Sequence, residues 1–174
     1  MSQTVPPFAE LLANCRRSAV HLETRDTYGI PKENSDFTAW RAGRRYDNGD
    51  RSSWWSSFHD AIAEATSRGV VIRRARIVSE PLSEYVRFEH ARTPRNIEAG
   101  EEVRWLPRRL AVDLLVPVND FWLFDDERIR VHHFAATGAH VRDELEERAD
   151  VVERHAEAFR AVWERAIPHE DYRV

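Results

Sequence analysis

The order of apolar and polar positions along the chain predicts alternating helices and strands. Phe8, Leu11 and Leu12 recur at helical spacing behind Pro6 and Pro7, marking a short first helix. From Ser18 to Thr24, Ala19, His21 and Glu23 alternate with Val20 and Leu22, as in a strand. Pro31 to Ala42 reads as a helix, with Phe37 and Trp40 three apart and Gly43 as its stop. Gly43 to Asp50 is rich in breakers and reads as a loop between helices. Trp54, Trp55, Phe58, Ile62 and Ala65 mark one face of a helix that Gly69 ends, and Val70 to Val78 follows as a buried strand.

Ser79 is placed to cap a helix from Pro81, although Tyr85 to His90 also fits a strand. Ala99-Gly100 breaks the chain before a short strand, Val103 to Leu106. Phe121 to Phe124 and Arg128 to Phe134 enclose the acidic turn Asp125-Asp126-Glu127 and predict a hairpin. Ala149 to Ala166 carries Val152, Ala156, Phe159, Val162 and Trp163 as the apolar stripe of an amphipathic helix, which Pro168 stops. The expected architecture is α/β (α+β): a single mixed β-sheet covered by helices, with a long C-terminal helix and residues 1–174 forming one domain.

Composition narrows the function classes. At 174 residues, 42% of them apolar, the chain can bury a sizeable core, and a net charge of −4 supplies no global positive field for nucleic acid or anionic lipid. Lys32 is the only lysine, so every other basic side chain is a planar arginine fork suited to carboxylates and phosphates. Cys15 stands alone, which excludes an intramolecular disulfide and a thiolate zinc site. Met1 to Glu10 lacks the pattern of a secretory signal, and no apolar run approaches the roughly 20 residues that span a bilayer. A cytoplasmic location without membrane contact is the expectation.

The sequence holds no GxGxxG or Walker-type loop, no HExxH and no GxSxG, and it points to no catalytic residue, metal or cofactor. Within the strand at 70–78, Arg74 and Arg76 share a face while Arg73 lies opposite. Paired guanidinium groups there would grip a phosphate or a partner's carboxylate, or else pair internally with Glu80, Glu84, Glu89 or Asp120. Asp120 precedes a buried aromatic run, where an arginine partner is expected. Turn geometry accounts for Asp125 and Asp126. His132 and His133, adjacent on a strand, point to opposite faces and so do not readily share a metal. Arg73, Arg74, Arg76, Glu89, Asp120 and His133 are therefore the candidate ligand-binding residues. Trp54 and Trp55 are the candidate interface, being adjacent on a helix so that one is partly exposed. Cys15 reads as a small residue near a helix end rather than an activated thiol.

Several phrases resemble a known family: Leu22-Glu23 leading to Tyr28, Trp40-Arg41-Ala42-Gly43, Arg73 to Pro81, Ala99-Gly100-Glu101, Asp120 to Asp126 and Ala161-Val162-Trp163. Together they look like the actinobacterial domain-of-unknown-function family six-eight-seven-nine, over nearly the whole chain. That resemblance implies small cytoplasmic proteins, often encoded beside helix-turn-helix regulators, with no established catalytic residues. The helix–Gly–strand unit, the acidic hairpin and the final helix also resemble, more distantly, half of a phospholipase D-like fold. The chemistry of that superfamily needs His-x-Lys, and here Ile30 stands two positions before Lys32.

Two functions follow as expectations. The first is a non-catalytic regulatory or interaction module whose partner is a protein, the helix-turn-helix regulator being the candidate. The second is an enzyme or sensor that binds a phosphorylated or nucleotide-like small molecule through the arginines, with Asp120, Glu89 or His133 as acid or base. Direct DNA binding ranks third, since only Arg41, Arg44, Arg45 and Arg51 cluster, in a loop. Homo-oligomerisation is left open.

Overall fold

A computed structural model describes residues 5–29, 31–45 and 47–174. Met1 to Thr4, Ile30 and Tyr46 therefore lie outside the described residues. Helix α1 (Phe8–Asn14) leads into strand β1 (Ser18–Glu23), and helices α2 (Pro31–Arg41) and α3 (Ser57–Ser67) precede β2 (Val71–Val78). Helix α4 (Glu84–Ala99) and β3 (Glu101–Pro107) follow, then β4 (Phe121–Phe124), β5 (Arg128–Phe134), β6 (His140–Glu146), α5 (Ala149–Arg165) and the two-residue β7 (Ile167–Pro168). The strands form one seven-stranded sheet in the order β6-β5-β4-β1-β2-β3-β7. β1, β2 and β3 are parallel and every other neighbour is antiparallel.

Period-two alternation divides the sheet into two faces. One presents Val20, Leu22, Ala75, Ile77, Phe121, Leu123 and Ile129 to the apolar stripe of α5, including Val152, Phe159 and Val162. The other is apolar at its Ala19, Ile72, Trp122 and Phe124 end, where α1 and α3 supply Leu11, Leu12, Ile62 and Ala65, and again at Val78, Val103 and Trp105, where Val86 of α4 and Tyr172 pack. Between these two apolar patches the same face carries charge. At Gly100, which ends α4 with φ +114, an added Cβ would meet the Thr66 side chain at 2.7 Å, so α4 can approach α3 only over a glycine.

Three local expectations need correction. α3 starts at Ser57 behind a capping box of Ser56 and His59, so Trp54 and Trp55 lie ahead of the helix, next to a 3-10 turn at Arg51–Ser53. Ser83, whose hydroxyl accepts from the Val86 amide, caps α4, while Ser79 bonds Asp26; Tyr85 to His90 is helical. β6 and β7 carry no apolar alternation and were not predicted. β6 is an edge strand bearing Arg142, Asp143, Glu144 and Glu146, the kind of charge that keeps an edge from pairing with another chain.

Candidate functional site

Alternation along β1 and β2 puts His21, Glu23, Arg74 and Arg76 on the charged face, and register sets Glu23 opposite Arg76 and His21 opposite Arg74. Arg74 makes a two-pronged contact with Glu101, Nε to Oε2 at 2.7 Å and Nη2 to Oε1 at 3.1 Å, and reaches Glu23 Oε1 at 3.1 Å. Arg76 reaches Glu89 Oε2 from Nη2 at 2.8 Å, and its Nε lies 3.0 Å from Glu23 Oε2, out of line for a hydrogen bond. Both guanidinium groups also lie over tryptophan rings, Arg74 over Trp122 and Arg76 over Trp105. His21 stacks on Trp122 with centroids 4.4 Å apart.

Burial pushes the Glu23 carboxyl up, and the Arg76 and Arg74 charges more than offset this, holding it below its ordinary value. Burial works against the charged form of both arginines too, yet Glu101 and Glu23 at Arg74, and Glu23 and Glu89 at Arg76, raise them further. His21 is held neutral, its pKa well below the usual value because of burial and then Arg74. Three carboxylates, Glu23, Glu89 and Glu101, thus surround two guanidinium groups, leaving no surplus positive charge for a phosphate.

Asp120 lies at the edge of this network without the expected arginine. Its Oδ1 accepts from the Thr24 amide at 2.9 Å and hydroxyl at 2.7 Å, and its Oδ2 accepts from the Tyr28 hydroxyl. Burial raises its pKa. Glu89 sits with Arg76, and Arg92 approaches its other oxygen at 3.4 Å.

The remaining candidates separate from this face. His133 points the other way and meets Glu144 at 3.1 Å, while Arg73 pairs with Glu102 at the surface. Trp54 is buried, with its indole N–H on the Asn48 carbonyl. Trp55 is half-buried, donates to Asp60 at 2.6 Å and lies under Arg51. Asp125 and Asp126 have φ of 54° and 56°, and Asp125 gathers the amides of Arg16, Arg17 and Ser18. Burial, with Asp125 beside it, pushes the Cys15 thiol up to about 12, so it is no activated nucleophile.

Sequence reasoning missed a further surface, the segment 108–118 between β3 and β4. Ala111, Leu114 and Val116 pack against the α5-side core, and Arg165 ties the segment down through the Leu110 carbonyl at 2.8 Å and through Asp113. The intervening side chains point outward: Val112, Leu115 and Val118 are 89%, 94% and 95% exposed. Val112 and Val118 border an open groove of about 960 Å³ that Ile77, Val116, Glu80, Arg108 and Arg109 also line, and Leu115 lies outside it. The signal was present, as the apolar run Leu114 to Val118 with Val112 just before it, but it has neither helical nor strand period.

Residues 6–174 match the family model "Domain of unknown function (DUF6879)". The chain belongs to this family. No curated protein matches the DUF6879 chain in sequence. Among solved structures, Nuc from Salmonella typhimurium, a phospholipase D family member, superposes with a TM-score of 0.50 at 11% identity over 95% of this chain and 88% of its own. TrmBL2, an archaeal chromatin protein with a novel mode of DNA binding, gives 0.49 at 15% identity over 91% of this chain. The chain spans only 47% of TrmBL2. NucT from Helicobacter pylori gives 0.47 at 10% identity, covering 92% and 87%. What the DUF6879 chain shares with Nuc is the fold, and a fold is compatible with many functions. Among the described residues no helix is long and apolar enough to cross a membrane.

Proposed function

We propose that this DUF6879 protein is a non-catalytic interaction module, and that it docks an apolar segment of a partner protein on the 108–118 surface. The observation that carries this reading is the exposure of Val112, Leu115 and Val118 on a backbone anchored by Arg165 and by its own inward-facing side chains. Clustered aliphatic side chains left in water on a held segment are unfavourable unless something covers them. A held surface also loses little entropy when it binds.

The groove selects the occupant's chemistry. Its apolar wall fits aliphatic or aromatic anchors, while the arginines beside it already pair with acidic side chains, Arg109 with Glu80 and Arg108 with Asp26. The helix-turn-helix regulator implied by the family resemblance is the partner to test. The buried ion network supports this reading over a phosphate or nucleotide site, because Arg74 and Arg76 already hold carboxylates.

The test is calorimetric titration with a helix-turn-helix regulator of the kind the resemblance implies, comparing wild type with Leu115→Asp/Val118→Asp. Binding that weakens tenfold or more in the variant supports the proposal. Unchanged binding, no binding, self-association of the chain through this patch, or a patch that binds only lipid vesicles overturns it.

A further inference from the structure

A separate cluster lies on the β5–β6 hairpin, away from the groove. His132 and Asp143 are register partners, and His132 Nδ1 lies 2.7 Å from Asp143 Oδ1. His140 Nε2 approaches that same oxygen at 2.8 Å. In a regular strand, residues three apart point to opposite faces, so His140 and Asp143 should not meet. They meet because the ladder slips between His133 and Phe134. His133 pairs with Arg142 but Phe134 pairs with His140, which leaves Val141 as an extra residue. Bulges of this kind re-aim side chains, and they are over-represented beside functional sites.

From this geometry we propose that His132, His140 and Asp143 bind a divalent transition-metal ion of the zinc type. Two imidazole nitrogens and one carboxylate oxygen, with water in the fourth position, form a familiar set for such an ion. One ligand atom from each residue lies within 4.8 Å of the others. Tetrahedral coordination needs about 3.3 Å between ligand atoms. The 2.8 Å contact opens by about half an ångström when half-exposed His140 moves, and the 2.7 Å contact must open by a similar amount through a small turn of the His132 ring or the Asp143 carboxylate. Arg130 holds Asp143 Oδ2 from Nε at 3.0 Å and Nη2 at 2.5 Å, leaving Oδ1 as the single ligating oxygen. Its positive charge weakens the site relative to one without it. The His132 ring lies edge-on to the His21 ring, centroids 5.6 Å apart, which limits its reorientation.

The ion displaces the His–Asp hydrogen bonds and requires both imidazoles unprotonated, so protons compete with it for the site. His133 is the internal control, since it neighbours His132 in sequence but faces Glu144 on the other side.

The experiment is titration of the full chain with Zn²⁺ and, separately, with Co²⁺, reading the heat released and the visible bands of tetrahedral Co²⁺. His140→Ala, Asp143→Asn and His133→Ala are titrated alongside, and thermal melts of each show that it is folded. The expected result is one ion per chain, weakened at least about tenfold by His140→Ala and by Asp143→Asn, with His133→Ala unchanged. If Asp143→Asn does not fold, His140→Ala, at an exposed edge, carries the test by itself. No binding to wild type, binding indifferent to His140→Ala, or equal loss in His133→Ala overturns the proposal.

Discussion

Glu23 on β1 and Arg76 on β2 are register partners, and their charged groups meet at 3.0 Å with both side chains almost wholly buried. Glu23 also bonds Arg74, so one carboxylate links two guanidinium groups in the interior. Removing it would leave each guanidinium with a single carboxylate, Glu101 for Arg74 and Glu89 for Arg76.

Glu23→Gln is therefore predicted to destabilise the protein by about 1–3 kcal/mol, the usual cost of weakening buried hydrogen bonds to a charged group while its other partners remain. Denaturant unfolding checks it. Surface pairs give the contrast: Arg73→Ala, which leaves the exposed partner Glu102, should cost less than about 1 kcal/mol.

Asp120 is an acceptor for Tyr28 and Thr24. Tyr28→Phe should cost about 1–3 kcal/mol by leaving a buried charged acceptor short of one donor. In a double-mutant cycle with Asp120→Asn, the two losses should fall short of additive, as expected for residues in direct contact. Full additivity in unfolding measurements would contradict this.

Much of this organisation was legible in the sequence because alternation is strict in β1 and β2. It placed Arg74 and Arg76 together, set Arg73 opposite, and separated His132 from His133. The hairpin at Asp125 was legible from an acidic turn between two apolar runs, and α5 from the helical spacing of its apolar stripe. The identity of the arginines' partners was not, because Glu23 and Glu101 come from neighbouring strands whose order depends on topology. Glu89, by contrast, was among the anticipated partners. The His132–His140–Asp143 cluster was hidden by the bulge, which breaks the period that a sequence reading relies on. Trp54 and Trp55 were misplaced because Ser56, not an earlier serine, caps α3.

Stability should fall in mild acid. His21, His90 and His169 all have folded pKa values below the ordinary 6.5, chiefly through burial, and that of His169 falls to about 4. A histidine lowered in the folded state leaves the unfolded chain binding more protons, so its contribution is complete above about pH 6.5 and is lost as pH falls through the folded value. Glu23, lowered below 4.5, adds a further loss at more acid pH. Asp120 is raised and acts in the opposite direction, so the decline just below neutrality belongs to the histidines. Melting temperatures measured at about pH 7.5 and about pH 5 should show the drop, and a flat profile would contradict it.

Cys15 should resist thiol reagents in the folded protein. Its thiol, buried and donating to the Ser18 carbonyl and to Asp125, is raised to about 12, so almost no thiolate exists at neutral pH. Labelling should follow unfolding; fast labelling of the native protein at neutral pH would contradict this geometry.

The central claim, that the 108–118 surface docks a partner protein, is tested most directly by calorimetry of a helix-turn-helix regulator of the kind the family resemblance implies against wild type and Leu115→Asp/Val118→Asp. Both positions are exposed, so the variant should melt within a few degrees of wild type. The account predicts saturable binding to wild type and at least a tenfold weaker affinity for the variant. Equal affinity for the two, or no binding to wild type, would contradict it.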